Sequence, residues 1–150
     1  MAAYTDSLGF NKGTAAYPDG TGISKYSVQL DFAKIVAARS AAGATALSAG
    51  DTLQIISLPA GTVVLSAGIN ITSAETTNTT ATFDLGFTGG SPAAANAYGN
   101  DLASNSTGLK AADLANPTVV ASADTIDLLL NTAIPANAVV NVFAVVIDTN

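Results

Sequence analysis

The chain has 150 residues with neither cysteine nor histidine, which removes disulfides, thiol catalysis, Cys-ligated zinc and the commonest general base. Only 11% of its residues are charged, against about a quarter in ordinary soluble domains, so much of the surface is neutral, as suits a protein packed against others in an assembly, a bias that secreted and environmentally exposed β-proteins share. The net charge of −6 falls after Arg39, because the earlier part sets Lys12, Lys25, Lys34 and Arg39 against Asp6, Asp19 and Asp31. Five cations, scattered, make no phosphate-tracking patch, and nucleic acid is excluded as a partner.

A chain of this length predicts one domain able to bury roughly 70% of its unfolded surface without a metal or disulfide. Residues 1–22 contain Gly9, Gly13, Gly20 and Gly22, a Pro18-Asp19-Gly20 turn, and aromatics at Tyr4, Phe10 and Tyr17 without a period. They read as an irregular, extended arm preceding a domain over 23–150. An unanchored terminus is one reading. The other lays the arm on a neighbouring subunit through Tyr4, Leu8, Phe10, Lys12 and Tyr17, since disordered tails are poor in aromatics. After Met1 there is neither a basic segment nor an apolar one of the kind that marks an export signal.

From Ser24 to Ile35 the sequence alternates, with Tyr26, Val28, Leu30 and Phe32 on one face, which predicts a half-buried strand. Residues 36–49 are Ala-rich, interrupted by Gly43, and read as a loop or short helix. Leu53–Leu58 and Val63–Ile71 are two apolar runs joined by Pro59-Ala60-Gly61, where Pro fixes φ and Gly permits φ > 0. They predict a hairpin whose second strand turns Val63, Leu65, Ala67, Ile69 and Ile71 inward. Thr79–Thr88 alternates through Ala81, Phe83, Leu85 and Phe87 and extends the hairpin into a meander. Gly89–Leu114 carries little regular signal beyond a short strand near Tyr98–Ala103, and reads as a long loop. Thr118–Ala121, Asp124–Asn131 and Ala138–Asp148 supply three more strands. The last is too short and too interrupted, at Asn141, to span a membrane, which needs about 20 apolar residues.

Ile134-Pro135-Ala136-Asn137-Ala138-Val139-Val140 echoes Leu58-Pro59-Ala60-Gly61-Thr62-Val63-Val64, with Asn as the other residue that tolerates the left-handed region. Asp51-Thr52 and Asp124-Thr125 precede the two apolar runs, where an Asp side chain bonds the backbone two residues on. About eight strands spaced by roughly 8 to 12 residues describe an all-β, antiparallel two-sheet sandwich. Two similar hairpins far apart favour a jelly roll, in which strands from the two halves interleave; an immunoglobulin-like sandwich without its cysteines and Trp is the runner-up.

Catalytic chemistry is sparse. A Ser-Lys dyad has only Ser24-Lys25 or Lys110 to draw on, and neighbours on a strand point to opposite faces. Glycoside hydrolysis needs two carboxylates facing one sugar; Asp84, Glu75, Asp101 and Asp127 are the acids available, and the chain's single Glu sits in a polar turn. Asp84, Asn100, Asp101 and Thr88 flank the long loop with oxygen ligands, but their spacing fits no calcium loop. GFTGG and DGTG lack the Lys-Thr or helix of a phosphate site. No enzyme activity, metal or cofactor is expected.

The string GDTLQIISLPAGTVVLSAGINIT, followed by a Thr-rich turn and Thr82-Phe83-Asp84-Leu85-Gly86, resembles capsid decoration (cement) proteins of tailed bacteriophages. The likeness covers about Ala49–Gly90 and, more loosely, Pro135–Asp148. It implies a β-sandwich, usually a homotrimer, made in the bacterial host cytoplasm and bound to the major capsid protein on the outer surface of the virion. A tail, fibre or adhesin-like component would use the same sandwich. A carbohydrate-binding module is the rival of another class, against which the absence of Trp weighs.

Overall fold

The computed structural model describes residues 3–4, 8–10, 13–14, 22–88, 94–113 and 117–147. In chain order these form β1 (Ala3–Tyr4), β2 (Gly13–Thr14), β3 (Ile23–Asp31), α1 (Phe32–Ala41), β4 (Thr52–Leu58), β5 (Val63–Ser73), β6 (Thr82–Phe87), β7 (Ala94–Ala103), β8 (Gly108–Asp113), β9 (Thr118–Val119), β10 (Asp124–Leu130) and β11 (Val139–Ile147). Alternation places Val140, Val142, Ala144 and Val146 of β11, with Val28 and Leu30 of β3, inside. Leu53, Ile56 and Leu58 of β4, Phe83, Leu85 and Phe87 of β6, and Ile126, Leu128 and Leu130 of β10 meet them from the opposite sheet.

One sheet has the order β1-β4-β10-β6-β7, with β2 also on β4; the other is β3-β11-β5-β8, with β9 on β5. Every pairing is antiparallel except those of β1 and β2, which run parallel to β4. The late strands β10 and β11 insert between β4 and β6 and between β3 and β5. That interleaving is a jelly roll, and it is not the immunoglobulin order.

The structure corrects several local expectations. The two Pro-Ala segments are not hairpin turns: each carries the chain from one sheet to the other, so β4 and β5 do not pair, nor do β10 and β11. The meander is absent for the same reason. Gly61 has φ +87 as expected, but Asn137 is not left-handed; Asp101 is the non-glycine residue with positive φ among those described.

In β5 a bulge opposite Val145 and Val146 shifts the alternation, so Val64, Ala67, Ile69 and Ile71 are buried while Val63 and Leu65 are half-exposed. The predicted strand to Ile35 stops at Asp31, whose carboxylate accepts the Lys34 N–H at 3.2 Å and caps α1. Phe32 and Ile35 stay buried, as helix residues, and Phe32 stacks on Phe83 with centroids 5.6 Å apart.

The expected long loop holds β7, paired with β6, and β8, paired with β5. Their Ala, Asn and Gly residues have little strand propensity, so the ladder offered by a neighbouring strand decides their conformation. Before the two apolar strands, Asp51 accepts the Ser48 N–H at 2.7 Å, and Asp124 accepts the Thr125 N–H at 2.8 Å, one residue on rather than two.

Candidate functional site

The arm residues divide between the domain and the undescribed segments. Tyr4 lies in β1, its backbone beside Leu53, while Gly13 and Thr14 of β2 sit beside Ile56 and Ser57. Between them Leu8 is half-buried and Phe10 enters the core at 9% exposure. Gly9 makes this possible with φ +86, since a Cβ there would come within 2.5 Å of the Ile35 Cα. Lys12 and Tyr17 lie outside the described residues. The arm thus returns along the edge of its own β4 at two points, with Phe10 as the plug between them.

The carboxylates weighed for catalysis are each engaged by the chain itself. Glu75, in the β5–β6 connection, accepts the N–H groups of Thr77 at 2.8 Å and Asn78 at 2.9 Å on Oε1. Its Oε2 accepts those of Ala136 at 2.7 Å, Asn137 at 2.9 Å and Ala138 at 3.1 Å. Burial pushes its pKa up, but the backbone donors of Asn137, Asn78, Thr77 and Ala136 outweigh it and hold the carboxyl at about 2.

Asp127 on β10 is buried and accepts the Thr125 hydroxyl at 2.5 Å, the Thr88 N–H at 3.0 Å and the Thr88 hydroxyl. There burial prevails over the threonine donors and raises the pKa. Asp84, Asn100 and Asp101 do come together, joined by Asn131. Asp84 accepts the Asp101 N–H at 2.8 Å and Asp101 accepts the Asn131 amide at 2.6 Å. Thr88 is elsewhere, on Asp127. Among the described residues there is no group of three or more His, Cys, Asp or Glu placed to hold a metal ion.

Lys110, in β8, donates to the Ser106 hydroxyl of the exposed β7–β8 connection at 2.6 Å. A nucleophilic pair needs a desolvated lysine, and this one is only half-buried. Lys25 lies 5.7 Å from the centre of the Phe143 ring, on the opposite strand face from Ser24. A hollow of about 490 Å³ beside α1 is lined by Val36, Arg39, Gly43, Ala44, Leu47 and Ile134. A second, of about 450 Å³, lies at the Pro59 corner over Gln54, Ser57 and Asp124. Neither lining includes an aromatic ring on which a sugar would stack.

What sequence reasoning missed is a surface. The outward residues of β11 are Val139, Asn141, Phe143, Val145 and Ile147, each half-buried, opposite a fully buried inward set. The signal was there: VVNVFAVVI is apolar on both parities, as in strands covered on both faces.

No family profile matches the sequence, and no curated protein matches it significantly. The fold, in contrast, is shared with chains of bacteriophage capsids. A chain of the Ralstonia phage GP4 capsid aligns with TM-score 0.64 and 13% identity, covering 100% of this chain and 99% of that one. A chain of the cyanophage Pam1 capsid asymmetric unit gives 0.60 and 17%, covering 96% and 97%. One from the acidic stable capsid of Helicobacter pylori bacteriophage KHP30 gives 0.57 and 13%, covering 87% and 89%. Coverage is nearly equal in both directions, so those capsid chains are about the length of this one and consist of the same sandwich with little added.

Proposed function

We propose that this chain is a non-enzymatic structural component of a bacteriophage virion, which decorates the outer surface of the capsid and stabilises it by binding the major capsid protein. The observation that carries the reading is the fold shared with capsid chains over nearly the whole length of both partners. The interior supports it. Both sheets close on a continuous core within one chain, so the domain folds alone and then docks, as a decorating protein must. Glu75 is bound by backbone N–H groups, Asp127 by Thr88 and Thr125, and Asp84 and Asp101 by each other and Asn131, and among the described residues no helix is long and apolar enough to cross a membrane.

In this reading the arm contacts the shell or a neighbouring copy through Tyr4, Leu8, Lys12 and Tyr17, with Phe10 anchoring it to the domain, and the copies associate as a homotrimer. Each copy adds a modest interface, and many copies together lower the free energy of the shell. The test mixes the purified chain with capsids from a phage deleted for it. Saturable occupancy, together with a higher melting temperature of the shell, is expected. Failure to bind shells while the protein is found in tails or fibres would replace decoration with another virion role.

A further inference from the structure

At the end of the β3-β11-β5 sheet where β9 joins it, the ladder sets Ile23 beside Ile147, Ile147 beside Val63, and Val63 beside Val119. This is a row of β-branched side chains across the whole sheet. The inward residues one step along, Val64 and Val146, are fully buried, so the row faces outward. Ile23 and Val119 at its ends are 71% and 59% exposed. Val145 and Phe143 continue the apolar surface down the central strand.

We propose that this outer face is the surface by which one copy of the chain packs against a second copy. The inference deepens the proposed function, naming the surface used for association, and rests on it for the chain's multimeric use. Two observations favour a second copy over the shell as occupant. The first is charge. A chain of net charge −6 repels itself, yet Asp84, Asp101, Asp124 and Asp127 all lie on the other sheet, and Asp51 and Glu75 at the loops. The charged residues of this sheet are Lys25 and Asp31 of β3 and Lys110 and Asp113 of β8, two of each sign, with Lys25 held over the Phe143 ring. Two such faces meet with little repulsion.

The second observation is area. A face four strands wide and about nine residues long measures roughly 19 by 30 Å, or about 600 Å² in flat projection. Its accessible surface is larger, on the scale of the ~800 Å² per partner of a stable interface. The apolar end of that face, Ile23, Val63, Val119, Phe143, Val145 and Ile147, left bare until it met a shell, would invite aggregation. Cover by its own kind keeps the chain soluble beforehand.

The experiment is sedimentation of the full-length chain and its variants. The wild type is expected to sediment as a multimer. Val145→Asp should raise the dissociation constant at least about thirtyfold, the loss expected at a central contact worth about 2 kcal/mol, with the circular dichroism unchanged. Ile23→Asp, at a position exposed within one copy, gives the same readout without touching the fold. Gln54→Lys on the other sheet should leave the multimer intact. A monomeric wild type, or a multimer that survives both Asp variants, overturns the inference. So does a monomer whose shell binding is lost in Val145→Asp, which would give the face to the shell. A multimer that dissociates as expected but never binds shells supports this face and counts against the virion reading alone.

Discussion

The Pro59 and Pro135 corners share a sequence pattern and a task, taking the chain from one sheet to the other, yet they are held by different means. The first is set by its own torsion and hydroxyl, with a long-range main-chain tie added. Gly61 adopts φ +87, the Thr62 hydroxyl donates to the Pro59 carbonyl at 2.8 Å, and the main chain of Val120 exchanges bonds with Gly61 and Thr62 at 2.7 and 2.8 Å. The second has no left-handed residue. Its N–H groups at Ala136, Asn137 and Ala138 turn instead to one carboxylate about sixty residues away in sequence, that of Glu75. Asn137 completes the tie by accepting the Thr76 N–H at 3.0 Å and donating to the Thr76 hydroxyl at 2.7 Å. A turn can thus be specified by its own backbone torsions or by a distant acceptor, and a local pattern does not say which.

The difference can be broken most forcefully at Glu75. Replacement by Ala leaves five backbone donors without their acceptor in a site where the side chain is 1% exposed. At about 1–3 kcal/mol for each group left unsatisfied, less what water recovers, a loss of about 3–5 kcal/mol is expected in denaturant unfolding. The same group sets an acid limit. Its pKa is lowered in the folded state from 4.5 to about 2, so the stability it gives is complete above the unfolded value and drains away as pH falls from about 4.5 to 2. Glu75→Gln should flatten that limb of the melting-temperature profile. Asp127 acts in the opposite sense: with a raised pKa, its contribution is present at low pH and is lost as pH rises through the folded value, so it cannot cause the acid loss.

Gly61→Ala is expected to cost about 1–2 kcal/mol in the same unfolding experiment, because a Cβ strains the left-handed backbone. Asn137 supplies the smallest effect and the sharpest contrast. Asn137→Ala should cost about 1 kcal/mol through its lost side-chain bonds, and Asn137→Gly should restore nothing. If Asn137→Gly proves as stable as the wild type, the two corners work alike after all.

Much of the scaffold was legible because strand alternation reports burial directly: Ala81, Phe83, Leu85 and Phe87 fall on one parity of an alternating run and are buried. Pro59 and Pro135 were legible as corners but not as crossings, since which sheet receives the next strand depends on β10 and β11 arriving much later in the chain. At Asp31 the alternation of β3 ran on into the apolar first turn of α1, and only the capping role of Asp31 marks the change. Of β7 only the Tyr98–Ala103 part was legible as a strand; its first residues were not, because their conformation is fixed from outside. Gly86 admits β7 so closely that a Cβ there would lie 2.1 Å from the Ala94 carbonyl oxygen. Of the candidate site, the acids were legible as residues without a catalytic setting. The apolar outer face was overlooked because the run at 138–148 reads as a strand with no division into faces.

The interleaved strand order also has a consequence for the order of events in time. Without β10 nothing bonds β4 to β6, and without β11 nothing bonds β3 to β5. A growing polypeptide that has reached residue 123 therefore holds halves of two sheets, each with its centre missing. Long-range closures of this kind are slow. The sandwich is complete only once β11 has been made, because the centre of each sheet comes last in the chain.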